Sequence, residues 1–487
     1  MNITPAVWKE SILLSKPSNE DKTADIERFK GAFKDINIKV PFSLFKPISS
    51  LMKKEDCHAS VTLCAINEFE YRLIALNQGE IYGIAFDIGS TNICARLVDL
   101  NKNETVLYAQ EKNPQVDFGA DILSRMFYAM THGGAILHKC LIDCINNIIE
   151  RLLSGVNARY NALVAVVFAG NTVMSHFLMD LPVENIPISP YVPVVHTPGF
   201  LRPSDIGLCA NPEALVYVFP NVGSYVGGDT VAGILSTGIY VQNGVHMLID
   251  AGTNVEVVIG NNEWLLVGAG AAGPAYDEGI AAIGKGAYPG AISNVSINPK
   301  TLKPSVSTIG DVLPIGICGS GMISLIAELY KHGIINNKGV FIRGQTGVIS
   351  AEEGSAFLIY NEHRQFLVYE YEIENFMSSK AAMLTMVNVM AGAVGMSVDD
   401  MEKIIITGAL GNGIKLEHAK TIGLLPPLHN SKFIAVENAA LEGAELLLKN
   451  RLLFGDIYNI TKLITYKEMN EDQTFMNEFP AAKFIPI

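Results

Sequence analysis

The sequence predicts an α/β protein built from two related lobes, preceded by a small α+β unit. Three observations lead there. The phrase AFDIGSTN at residues 85–92 returns as LIDAGTNV at 248–255: an apolar run into Asp, one residue, Gly and a hydroxyl residue. Each phrase opens the same succession of strands, helices and a further buried strand. Residues 1–80 lack that pattern. Internal similarity of this kind calls for duplicated architecture, and a chain of 487 residues that is 49% hydrophobic has room for several cores. The expected divisions are a small N-terminal α+β linker or middle domain at 1–80, a first lobe at 81–244, and a second lobe with a C-terminal extension at 245–487.

In the N-terminal part, PSNEDKTADIERFKGAF is polar with helical spacing at Ile26, Phe29 and Phe33. ASVTLCAI and FEYRLIAL follow as two strands. From Tyr82, GIAFDIGSTNICARLVDL and ETVLYAQEKN read as three successive strands, the first two joined at a glycine turn. ADILSRMFYAM and HKCLIDCINNIIERLLSG are helical. ALVAVVFAGN is a buried strand running into the helix VMSHFLMDL. Beyond a Pro-rich loop, ALVYVFP leads through glycines to the helix DTVAGILSTGI. The second half repeats the scheme: GVHMLIDAGTNVEVVIG and EWLLVGAG are strands, GICGSGMISLIAELYKHG is a helix with a glycine-rich start, and SSKAAMLTMVNVMAGAVG is a long helix. KIIIT is a buried strand ending at the turn GALGNG.

Composition limits the function. Net charge is −13 and Lys and Arg form no runs, so a phosphate-neutralising surface for DNA or RNA is not expected. A nucleotide held by backbone amides and a cation stays compatible. No apolar run reaches the roughly 18 residues of a membrane span. Seven cysteines, at 57, 64, 94, 140, 144, 209 and 318, make an odd number in a large chain with no signal-peptide pattern. A reducing, cytoplasmic setting is expected.

The repeated turn has a physical use. Gly89 and Gly252 let the backbone turn tightly and approach an anion. Successive N–H groups in such a turn form a nest for phosphate oxygens, with Ser90, Thr91 and Thr253 adding hydroxyls. Asp87 and Asp250 end the strands; a carboxylate beside phosphate calls for a cation between them, so the pair implies Mg²⁺. Two such turns across a cleft would grip a polyphosphate from both sides. In VGGDTVAGIL, Gly227 and Gly228 open a helix whose first turn carries Asp229. That residue is either a cap or the group that orients an attacking water. In IITGALGNG, the backbone at Gly408 and Gly411 is placed to lie along a sugar or base, or is an ordinary strand-to-helix turn.

Together these pieces resemble the actin, Hsp70 and sugar-kinase superfamily, in order and spacing, over roughly residues 82–450. Phosphate motifs lie at 85–98 and 248–260, an adenosine motif at 405–413, and connecting helices at 222–235 and GICGSGMISLIAEL. The boxes NPQVDFGADILSRM, GNTVMSHFL, PNVGSYVGGDTVAGIL, AAGPAYDEG, GICGSGMISLIAELYKHGII and AKTIGLLP, with the PSNEDKTADIERF opening, are similar to the reductive activators of corrinoid enzymes. The resemblance implies two ribonuclease-H-like lobes of the actin-like ATPase fold. It implies ATP and Mg²⁺ as cofactors, and ATP-driven reduction of a Co(II) corrinoid protein or corrinoid-dependent methyltransferase. It assigns catalytic roles to Asp87, Asp229 and Asp250, the first and last of these at the metal. Nucleotide contacts fall on Gly89, Ser90, Thr91, Asn92, Gly252, Thr253, Asn254, Gly408 and Gly411, with Gly227, Gly228, Gly319 and Ser320 beside them. Lys380, read as the start of the long helix, either reaches the nucleotide or lies on a solvated face. Such activators usually begin with a domain holding a 2Fe–2S cluster. This chain has no C-x₄-C-x₂-C run, so a shortened homologue or a fragment, with a separate iron–sulfur electron donor, is expected. No D-x-H-x-x-G corrinoid signature appears, which puts the cobalt on a partner. A homodimer is compatible with the sequence. The second turn reads GTNV where the family commonly has GTNG, so Val255 is expected to hinder close phosphate approach. A small-molecule kinase with Asp229 as base, and a nucleotide-dependent binding module without turnover, are the alternative readings.

Other patterns have plainer readings. VGAGAAG (267–273) matches a dinucleotide fingerprint but needs a helix starting there. GIAAIGKG (279–286) ends in Gly where a P-loop needs a hydroxyl. Cys140 and Cys144 lack the further ligands of a metal site and read as core thiols. His176 reads as a satisfied structural residue or a coupling element.

Overall fold

The computed structural model of the chain describes residues 4–34, 36–53, 57–67, 70–252, 254–271, 281–411, 413–469 and 472–486. It divides into two compact units: residues 1–236 with 440–462, and residues 237–439 with 463–487.

The first unit opens with strand β1 (Val7–Leu13), helix α1 (Asp25–Gly31), β2 (Asn37–Lys39), α2 (Phe45–Met52), β3 (His58–Asn67) and β4 (Glu70–Leu76). They form a four-stranded sheet in the order β1-β3-β4-β2. Phe29, Ile48, Leu51, Val61 and Leu73 fill the core between helices and sheet. The polar PSNEDKTADIERF stretch is organised by one buried cation. Arg28 pairs with the Asp21 carboxylate and donates to the carbonyls of Asp21 and Thr23, both at 3.1 Å. That pairing holds the Asp21 carboxyl well below the usual carboxylate range. Strand β1 was not expected from VWKESIL, whose charged residues suit an edge strand. The small sheet is tied to the rest of the unit by Arg72, which donates to the carbonyls of Glu213 (3.0 Å) and Ala214 (3.1 Å), and by Arg451 stacked 4.1 Å over Trp8.

The larger sheet of this unit comprises β5 (Tyr82–Ile88), β6 (Asn92–Asp99), β7 (Glu104–Lys112), β8 (Leu163–Gly170), β9 (Gly199–Leu201) and β10 (Leu215–Val218), in the order β7-β6-β5-β8-β10-β9. The first three strands are antiparallel neighbours; β5, β8 and β10 run parallel. Every residue of β8 is buried, which is why LVAVVFAG is a continuous apolar run and not an alternating one. Helices α3 (Ile122–His132), α4 (Ala135–Gly155), α5 (Thr172–Leu178), the short α6 (Pro203–Ile206) and α7 (Gly228–Thr237) complete the lobe. Helix α4 buries Leu137, Leu141, Ile145, Ile148 and Leu152, one stripe at helical period.

The second unit repeats the first five strands of this sheet, with its sixth strand on the opposite edge. Its strands are β11 (His246–Ala251), β12 (Asn254–Gly260), β13 (Leu265–Ala271), β20 (Lys403–Gly408), β21 (Phe433–Ala435) and β22 (Ile464–Lys467), in the order β21-β20-β11-β12-β13-β22. Between β13 and β20 lie two small sheets, β14 (Ala291–Ile297) with β15 (Pro304–Thr308) and β16 (Gly316–Ile317), and β17 (Val348–Ala351) with β18 (Gly354–Tyr360) and β19 (Phe366–Tyr369). Helices α8 (Gly319–Lys331), α9 (Glu370–Ala393), α10 (Leu416–Thr421) and α13 (Gln473–Ala482) complete the unit; α8 packs on β14, α10 on α8, and α13 on α9. The fold is thus the expected α/β arrangement of two ribonuclease-H-like lobes with an α+β portion in front.

Two expectations change here. The long helix begins at Glu370, not at SSKA, with Glu372 accepting from the Tyr369 N–H at 2.8 Å. And α11 (Ala439–Lys449) and α12 (Leu453–Leu463) belong almost wholly to the first unit, although they follow the second lobe's strands in sequence. Arg96 of β6 pairs with Glu445 at 2.6 Å, and a Cβ on Gly443 would press on Ala232, its Cα at 2.8 Å. Among the described residues no helix is long and apolar enough to cross a membrane.

Candidate nucleotide site

In the first lobe, β5 and β6 pair in register to Ile88 and Ile93, with Asp87 opposite Cys94 and beside Ala169 of β8. Residues 89–91 make the turn. A Cβ on Gly89 would meet the Asn92 carbonyl oxygen at 2.5 Å, so only glycine closes it. Asp87, Gly89, Ser90, Thr91 and Asn92 are all half-buried, at the surface end of an otherwise buried strand pair. The adjacent end of β8 continues into Asn171, whose side chain accepts from the Met174 N–H at 2.9 Å and caps α5.

Asn171 also receives the start of α7. A Cβ on Gly227 would meet Asn171 C and Thr172 N at 2.5 Å, and one on Gly228 would meet the Phe219 Cβ at 2.6 Å. These two glycines let the helix start seat directly on backbone, next to the end of the strand that pairs with Ile88. Asp229, half-buried, follows in the first turn, its Oδ1 accepting from the Thr230 N–H at 2.7 Å. Burial raises its carboxyl to about 6, against the opposing pull of the Thr230 donors. Gly227→Ala is expected to destabilise the protein by about 3 kcal/mol, because neither backbone neighbour can yield; the shift of the denaturant midpoint measures it.

In the second lobe, β11 and β12 pair to Ala251 and Val255, with Asp250 opposite Glu256 and beside Thr407 of β20. The Gly252 N–H donates to the Asn254 carbonyl at 2.8 Å. Among the described residues, a Cβ on Gly252 would meet nothing nearer than that oxygen, 3.8 Å away, an ordinary van der Waals contact. Thr253 lies outside the described residues. Val255 is 1% exposed, in regular strand pairing, with its side chain among the core residues, so its own side chain does not stand over the turn.

The end of β20, the strand beside Asp250, is brought close by glycine. Gly408 has φ +73°, and a Cβ there would strike the Asp250 carboxylate and sit 2.8 Å from the Ala251 carbonyl oxygen. Gly411 packs against Val436, and a Cβ on it would lie 2.9 Å from the Thr407 Cα. The Thr407 hydroxyl, buried, accepts from the Ala439 N–H at 2.9 Å, a tie that no local pattern announced. Gly319 is buried at the start of α8, and Ser320 Oγ lies 3.3 Å from Cys318 Sγ and 4.0 Å from the position a Cβ on Gly413 would take. Asp250, Gly252, Asn254, Gly408, Gly411 and Ser320 therefore cluster at one end of the second sheet.

Lys380 does not join them. It lies within α9, 0% exposed, and its Nζ donates to the Phe484 carbonyl at 2.7 Å; burial lowers its ammonium to about 8. Several of the other patterns have plain structural roles where they are described, although Cys140 and Cys144 are half-buried and not core thiols. Gly268 and Gly270 of VGAGAAG lie in β13, where a Cβ would meet the sulfurs of Met390 (2.8 Å) and Met386 (3.2 Å) of α9. They are packing glycines in a strand, while residues 272–273 fall outside the described part. In GIAAIGKG, whose first two residues are also outside it, Ala281 and Gly284 form a turn, not a helix start. His176 is buried, its Nε2 accepting from the Val194 N–H (3.1 Å) and its Nδ1 therefore donating to the Thr172 carbonyl (2.7 Å); it is a satisfied structural residue. Burial raises the Cys140 and Cys144 thiols.

Among the described residues no three His, Cys, Asp or Glu side chains gather as a metal cage. Single carboxylates at strand ends fit a hard cation that keeps water and takes most of its oxygens from phosphate, as Mg²⁺ does.

Three family models match the chain: the RACo linker region over residues 1–81, the RACo middle region over 82–242, and the C-terminal domain of RACo, the ASKHA domain, over 244–487. A solved structure of a reductive activator for corrinoid, iron-sulfur protein superposes with a TM-score of 0.93 at 31% identity, covering 100% of this chain and 80% of that one. The corrinoid activation enzyme RamQ of Eubacterium limosum is 29% identical over 416 residues, 82% of this chain and 69% of RamQ. A Co(II) methylated amine-specific corrinoid protein reductase of Methanosarcina barkeri is 22% identical over 431 residues, 82% of this chain and 76% of its own.

Proposed function

We propose, for a chain that belongs to the RACo family of reductive activators, that it binds and hydrolyses ATP and couples turnover to reduction of a Co(II) corrinoid protein to Co(I). In this reading the electron comes from a separate iron–sulfur carrier. One observation carries the ATP part: the same strand–Asp–x–Gly turn closes the first hairpin of both six-stranded sheets. Backbone amides of the two turns hold phosphate oxygens, and Asp87 and Asp250 face the cation. Mg²⁺, when bound, neutralises charge on the phosphates. Asp229 accepts a proton from the attacking water. The backbone around Gly408 and Gly411 lies along the nucleoside, with Gly319 and Ser320 beside it.

The test is ATP consumption with Mg²⁺, measured with and without a Co(II) corrinoid protein while the visible spectrum follows Co(I). Partner-stimulated turnover, with Co(I) forming only when ATP and a low-potential reductant are both present, is the expected result. Turnover that needs a small hydroxyl acceptor instead points to a kinase. Binding without turnover points to a nucleotide-dependent module.

A further inference from the structure

The box NPQVDFGADILSRM has a physical role that none of the site residues explains. It is the frame behind the first hairpin. Asn113, 0% exposed, donates from Nδ2 to the Gly89 carbonyl at 2.9 Å and from its backbone N–H to the Thr91 carbonyl at 2.8 Å. Arg125, also 0% exposed, donates from Nη2 to the Ser90 carbonyl at 2.6 Å. Three consecutive carbonyls of the turn are thus drawn to one side. In a planar trans peptide the N–H points opposite its C=O, so the amides of Ser90, Thr91 and Asn92 are directed away from this frame.

The frame is itself braced. Arg125 Nε donates to the Gly119 carbonyl at 2.9 Å, and Nη1 lies 3.5 Å from Gln115 Oε1 and 3.8 Å from Met174 Sδ. Gln115 in turn donates to the Leu137 carbonyl at 2.9 Å. Gly119 makes room, since a Cβ there would meet the Arg125 N at 2.8 Å. None of these acceptors is a carboxylate. A guanidinium buried without an ion-pair partner is costly for a fold to keep, and burial lowers its own affinity for the proton, to about 10. Its charge, offset only in part by the Asp121 carboxylate, sits directly behind the turn.

We propose that Arg125 is a positioning residue for the triphosphate: it fixes the Gly89–Asn92 turn with its amides outward and lends that turn a positive field. This rests on the nucleotide reading above. The phosphates gain from the turn only while the carbonyls are held back; released, a carbonyl oxygen can rotate towards the anion and repel it.

The experiment compares binding of Mg-ATP with binding of adenosine, which has no phosphates, by calorimetry on the full chain. Wild type is expected to bind ATP far more tightly; equal affinities there would overturn the nucleotide reading itself. In Arg125→Gln, ATP is expected to bind about tenfold to a hundredfold more weakly, the scale of a charge-assisted contact, with adenosine unchanged. If the variant keeps the wild-type ratio of the two affinities, or loses both equally, Arg125 is only structural and the inference fails. Should Arg125→Gln not fold, Arg125→Lys and Asn113→Ala decide by the same ratio: Lys keeps the charge and loses the fork, and Ala frees the Gly89 carbonyl.

Discussion

Asp87→Ala and Asp250→Ala are each expected to reduce ATP turnover by at least about a hundredfold while leaving the melting temperature close to that of the wild type. The magnitude follows from removing one preorganised charge that acts on the reacting phosphates through the cation. The fold tolerates the change because both carboxylates are half-buried at strand ends, outside the apolar clusters that hold each lobe together. Steady-state ATP consumption at saturating Mg²⁺, with a melt on the same samples, separates the two effects. A mutant that turns over ATP at the wild-type rate would remove that residue from the metal site.

Asp229→Asn is expected to lower kcat by about a hundredfold to ten-thousandfold, the range for losing a general base, and to change the pH profile. Burial raises the carboxyl to about 6. The base must be ionised to accept a proton, so wild-type turnover falls as pH drops through about 6 and levels off above it. The amide has no such titration, and its residual rate should be flat across that window. Asparagine still offers an oxygen to the Thr230 N–H, so the helix start should persist. A variant with undiminished kcat, or with the same acidic limb, would assign that limb to another group.

Much of this was legible in the chain itself. AFDIGSTN and LIDAGTNV mark the hairpins because an apolar strand that ends in Asp-x-Gly has few other ways to continue, and the repeat carries the strand order of one sheet over to the other. What sequence reading missed depends on distant partners. Nothing local in residues 440–462 says that they pack against Arg96 and Ala232. Lys380 was read at the start of the long helix, whereas the acidic turn at Glu370–Glu372 starts that helix about two turns earlier and the ammonium is buried. Val255 seemed to crowd the second turn; strand alternation sends its side chain into the core. Arg125 and Asn113 were visible only as members of a similar box, since a carbonyl held from behind leaves no trace in spacing or composition.

Both hairpins are proposed to hold one magnesium triphosphate. A crystal structure with Mg²⁺ and a non-hydrolysable ATP analogue tests it most directly. Phosphate oxygens are expected about 3 Å from backbone nitrogens of both turns, at residues 89–92 and 252–254, with the cation facing Asp87 and Asp250. A nucleotide bound at saturation elsewhere, or touching neither turn, would contradict it.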